Sequence, residues 1–144
     1  MKFETKDDVK KWLRLFPLAK KELKAKIDLY TEFIEDCRRL GRLDSALAEE
    51  TGHTYSDGLP NADFYRKQIM DCKKRCNNAL KDWERLSGCL DGDEALVITE
   101  KYFKGTSWDA MEFVVYFSRR QCFRILDRAA EKLVGKTVGG DVYE

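Results

Sequence analysis

Residues Ser107–Leu133 read SWDAMEFVVYFSRRQCFRILDRAAEKL, and their reading decides the fold. A serine stands at each of two points where a helix can begin. Its hydroxyl can accept the backbone N–H groups that a first turn leaves without a partner. Ser107 therefore predicts a short helix from Trp108 to about Val114, and Ser118 a second from Arg119 to about Val134. Trp108, Met111, Val115, Phe117, Cys122 and Leu126 fall where two such helices would face each other. That leaves Arg119, Arg120, Gln121, Arg124 and Arg128 on the outside. Tyr116 and Phe117 occupy the turn, a place where glycine is usual.

Upstream, Ala95, Leu96, Ile98 and Tyr102 or Phe103 predict a helix from Asp93 to about Phe103, stopped by Lys104–Gly105. Ser87–Gly88 and Asp91–Gly92 bracket a break, taken as a boundary between residues 1–90 and 91–135. Gly135–Glu144 contains three glycines, two of them adjacent, and the tail 136–144 is expected to be loose.

The N-terminal half carries two seams of apolar residues at alternating spacings of four and three. They are Leu23, Ile27, Tyr30, Ile34 and Cys37, then Tyr65, Ile69, Cys72, Cys76, Ala79, Trp83 and Leu86. This is the spacing of helices that pack along a narrow stripe. A short helix Met1–Phe16, capped by Asp7 or Asp8, is expected to break at Pro17. Helices over 18–40 and from Asn61 or Asp63 to Leu86 follow, with Gly41 as a C-cap and 51–61 as the connecting loop. The expected architecture is all-α: an antiparallel, coiled-coil-like helical hairpin, then a helix-turn-helix. The seams fit an intramolecular core better than a dimer interface.

Composition closes off other classes. The 144 residues are 37% charged and 43% hydrophobic, too apolar for a disordered chain and too charged for a membrane protein. No apolar run is long enough to span a bilayer and no secretory signal is visible, so a cytoplasmic protein without membrane contact is expected. Five cysteines, an odd number, argue against a disulfide framework. Cys72 and Cys76 share a helix face but lack two further ligands, since His53 is the only histidine, so small buried apolar cysteines and no metal are expected. No phosphate loop, catalytic triad or facing carboxylate pair occurs, so neither enzymatic activity nor a cofactor is expected.

Net charge is only +1, so any attraction to nucleic acid must be local. Between Ser118 and Lys136 there are six basic residues and two acids. Arginine can grip guanine through two acceptors and glutamine can read adenine, while both also hold phosphates. The segment Tyr102–Leu133 resembles the promoter-reading fourth region of bacterial sigma factors. The frame Ser118, Arg120, Gln121, Phe123, Arg124, Arg128, Ala129 is similar to that of the ArpU/RinA-like phage transcriptional regulators. This resemblance implies a regulator, an activator of phage or prophage late genes in a bacterial host cell. It further implies that Ser107, Ser118, Arg119, Arg120, Gln121, Phe123, Arg124, Arg128 and Lys132 form a surface for double-stranded DNA. Arg120 and Gln121 would meet bases; Arg124, Arg128 and Lys132 would meet phosphates. Other readings are a sigma-like adaptor that binds RNA polymerase or another partner with little DNA affinity, and a structural helical protein. Self-association through the hairpin is compatible with each.

Overall fold

A computed structural model describes residues 1–39 and 61–139. The loop expected over 51–60, the Gly41 cap and any helical extension over 42–50 lie outside the described residues. The helices are α1 (Lys6–Arg39), α2 (Ala62–Ser87), α3 (Gly92–Ile98), α4 (Trp108–Val115) and α5 (Arg119–Leu133), with a π-helical turn Thr99–Phe103 continuing α3. The fold is all-α, and none of these helices is long and apolar enough to cross a membrane.

The chain forms two compact units, Met1–Leu18 with Cys76–Glu144, and Ala19–Arg75. The division differs from the boundary expected at residue 90. In the first unit, the opening turns of α1 and the last turns of α2 share a core with downstream residues as far as Val138.

The helix starts follow from local chemistry. At α1 the Thr5 hydroxyl accepts the Asp8 N–H at 3.3 Å, and the Asp8 carboxylate accepts the Glu4 and Thr5 N–H groups at 3.0 and 3.1 Å. Thr5 is thus the cap and Asp8 its reciprocal partner, a correction to the expected Asp7 or Asp8 cap. Asn61 caps α2 by accepting the Phe64 N–H at 3.1 Å. Pro17 does not break α1, which runs through it. Loss of one backbone bond is opposed there by burial of Trp12, Leu13 and Phe16 on the preceding turns.

In the second unit α1 and α2 run antiparallel, as expected of a hairpin. Glu22 pairs with Arg75 at 3.5 Å, while Tyr30 meets Tyr65 and accepts the Arg66 Nε–H at 3.0 Å. Phe33 lies 4.8 Å from Tyr65, centroid to centroid. Two helices alone cannot enclose a stripe, so Ile27 stays exposed while Cys37 and Cys72 are buried. Burial raises the Cys72 thiol above its usual range, as expected of an inert apolar cysteine.

The first unit is built on an aromatic cluster. Phe103 lies 4.7 Å from Phe16, 6.4 Å from Trp12 and 5.1 Å from Trp83, on which it stacks at 15°. Phe3 meets the edge of Trp12 at 5.8 Å, and the Trp83 indole N–H donates to the Thr99 hydroxyl at 3.2 Å. The π-helical turn spends one extra residue, which rotates Phe103 inward.

The tail is held as far as Gly139, against the expectation of a loose segment from 136. Phe3 N–H donates to the Lys136 carbonyl, Gly135 N–H to Phe3 and Val138 N–H to Met1, at 2.7–2.9 Å. Arg85 donates to the Thr137 carbonyl and Asp82 accepts the Gly139 N–H. These bonds bury Phe3 and Val138, an apolar gain that glycine content does not reveal.

Candidate nucleic-acid interface

Helix α4 has eight residues and α5 fifteen, with Tyr116, Phe117 and Ser118 between them. Both serines cap as expected: Ser107 accepts the Ala110 N–H at 3.3 Å and Ser118 the Gln121 N–H at 3.2 Å. At Ser118 the box is reciprocal, because Gln121 Oε1 accepts the Ser118 N–H at 2.9 Å. That bond occupies the acceptor Gln121 would need to grip adenine with both amide atoms, so the cap competes with the reading role.

Val97, Met111, Val115, Cys122 and Ile125 form the core between the helices, with Trp108 and Phe117 packed against it. Burial raises the Cys122 thiol above its usual range. Trp108 is a correction: it is half-buried at the rim instead of enclosed, because Val97 and Ile125 fill the centre. Its ring lies 4.7 Å from that of Phe123, and the Lys101 ammonium stands 4.6 Å above it. Phe123 itself is half-exposed.

Tyr116 makes the turn in the left-handed conformation, φ 61°, with its N–H donating to the Glu112 carbonyl at 3.1 Å. A side chain there costs roughly 1–2 kcal/mol. The ring is 85% exposed, so little burial opposes that cost. Tyr116→Gly is expected to raise stability by about 0.5–1 kcal/mol, the strain relief less the extra backbone entropy a glycine loses. Urea melts of the two proteins measure it; a loss of stability would mean that the ring holds something in place.

The basic residues of α5 divide by partner. Arg119 reaches Asp109 at 2.9 Å, an exposed pair of little weight. Arg128 Nε donates to Glu94 Oε2 at 3.0 Å, and Lys132 Nζ to Glu94 Oε1 at 2.7 Å. Both also approach Asp91, at 3.8 and 3.5 Å. Glu94 is fully buried. Burial alone would raise its carboxyl, but bonds from Lys132, the Asp91 N–H and Arg128 hold it below its usual range. Any phosphate contact by Arg128 or Lys132 must compete with these bonds. Among the described residues no ion pair engages Arg120 or Arg124, and both are exposed.

In the sequence Asp91–Glu94 stands out only as an acidic stretch ahead of the basic helix. The signal was present: an Asp followed three residues later by Glu is a capping pattern. Asp91 caps α3 and Glu94 closes the box. No spacing in the sequence connects Lys6 and Lys10 with Asp127. Asp127 accepts from both lysines at 3.2 Å, and those bonds, Lys10 first, lower its carboxyl.

No family model matches the chain, and neither the curated proteins nor the solved structures compared with it give a match.

Proposed function

We propose that α4 and α5 are a helix-turn-helix that binds double-stranded DNA, with α5 entering the major groove, and that the chain is a transcription regulator of the phage or prophage kind its sequence resembles. One observation carries this reading. The outward arc of a helix begun by a reciprocal capping box presents Arg120 and Arg124 to solvent, unpaired among the described residues, whereas the basic residues beside them are tied to acids. Unpaired arginines in the first two turns of such a helix suit base edges and phosphates.

Selection of bound duplexes from a random pool, followed by anisotropy titration, tests it. Arg120→Ala is expected to cost about 1–3 kcal/mol of discrimination at one base position, with weaker loss elsewhere. Arg124→Ala should weaken all duplexes alike and lower the salt slope by about 1. A wild-type protein that enriches no sequence and binds without salt dependence defeats the reading. The alternative, docking on a protein such as RNA polymerase, draws on Phe113 and Tyr116, which are 77% and 85% exposed on and just after α4. Pull-down with and without DNA separates the two.

A further inference from the structure

Beside α5, within the first unit, an open groove of about 700 Å³ has Lys10 of α1 on one wall and Arg120, Arg124 and Arg128 on the other. Asp127 and Glu131 are the acids among its lining residues. We infer that this groove is a backbone-phosphate site, in which Lys10 and Lys6 of α1 hold a DNA phosphate together with Arg124, and Asp127 is the anion that the phosphate displaces. The inference rests on the DNA-binding reading and adds to it a second element and an internal competitor.

The argument begins with charge. Lys6 and Lys10 are one helical turn apart and share a single carboxylate, each at 3.2 Å. With Arg120 and Arg124 counted, four cations stand against the two carboxylates Asp127 and Glu131. The pairs are weak: Asp127 is 46% exposed and Lys6 45%, and exposed pairs of this kind contribute about 0–1 kcal/mol. A phosphodiester carries a full charge and sheds condensed counterions when neutralised, a gain the pairs with Asp127 cannot supply. Lysine meets phosphate as a point charge and needs no fixed angle, so a helix flanking the reading helix can grip the backbone while Arg120 faces a base. The position of Asp127 explains why the cations are held ready on the groove wall when DNA is absent.

Full-length protein and a fluorescein-labelled duplex, titrated between about 50 and 200 mM salt, provide the test. Lys10→Ala should weaken every duplex by a similar factor, lower the salt slope by about 1 and leave base preference intact. Asp127→Asn should do the opposite, tightening every duplex several-fold. Misfolding cannot mimic that gain, so it keeps the test decisive should Lys10→Ala fail to fold. Lys20→Ala, an exposed lysine farther along α1, should bind as wild type. Wild-type binding with Lys10→Ala, Lys10→Glu and Asp127→Asn all unchanged in affinity and slope overturns the phosphate site and spares the DNA reading. Absence of DNA binding by the wild type overturns both.

Discussion

Phe103→Ala is expected to lower stability by about 3–5 kcal/mol, the range for emptying a buried aromatic site. Its ring is 8% exposed and in contact with three others, one stacked at 5.1 Å. The deletion removes apolar burial and three aromatic contacts, each pair worth about 0.5–1.5 kcal/mol beyond area. Little nearby can move in: Trp12, Phe16 and Trp83 are rigid rings from two other helices. A domain of ordinary stability has about 5–15 kcal/mol in total, so the variant should melt roughly 10 °C lower or not fold at 37 °C. Thermal and urea denaturation followed by tryptophan fluorescence reads the loss, since two of the three tryptophans touch Phe103. Phe113→Ala, which empties only an exposed position, should stay within about 0.5 kcal/mol of wild type. A Phe103→Ala loss under 1 kcal/mol would mean that the cluster is not the core of this unit.

The same cluster shows where the sequence could be read and where it could not. Ser107 and Ser118 act on N–H groups three positions away, and the seam residues recur every three or four positions, so spacing alone exposes them. Both caps and the hairpin follow from that. Phe103 meets residues 20 to 91 positions distant, and no periodicity encodes which of them it meets. The Ser87–Gly92 break therefore looked like a domain boundary, although Trp83 before it and Phe103 after it are stacked. A fragment beginning at Gly92 would strip Phe103 of Trp12, Phe16 and Trp83 together. Pro17 misled for a related reason: its local cost is legible, the packing around it is not. Among the candidate site residues, local reasoning found the capped helix and its basic face. It could not sort Arg120 and Arg124 from Arg128 and Lys132, because the acids that engage the latter lie 34 to 41 residues upstream.

That sorting leads to Glu94, where the second large loss is expected: Glu94→Ala should cost about 3 kcal/mol. The carboxylate accepts the Asp91 N–H at 3.0 Å, closing the α3 cap, a function worth about 1 kcal/mol. It also accepts from Lys132 at 2.7 Å and Arg128 at 3.0 Å, where charged hydrogen bonds reach about 1.5–3 kcal/mol each when dry. Breaking a wholly buried pair costs about 3–5 kcal/mol because a stranded charge remains. Here Lys132 and Arg128 are 42% and 52% exposed and can return to water, which discounts their share. Glu94→Gln keeps an acceptor for the cap and should lose less. A double-mutant cycle with Lys132→Ala isolates their coupling; strict additivity would refute the pairing. Acid makes the same test without mutation. The cap's other carboxyl, Asp91, is lowered too, chiefly by the Glu94 N–H and then by Lys132 and Arg128. Groups depressed on folding contribute stability that is complete above their unfolded pKa and is lost as pH falls through the folded one. The wild type should therefore weaken as pH drops below about 4, and Glu94→Ala should weaken less steeply over the same interval. Parallel curves for the two proteins would show that the Glu94 carboxylate, despite its three bonds, adds nothing to the folded state that protonation can remove.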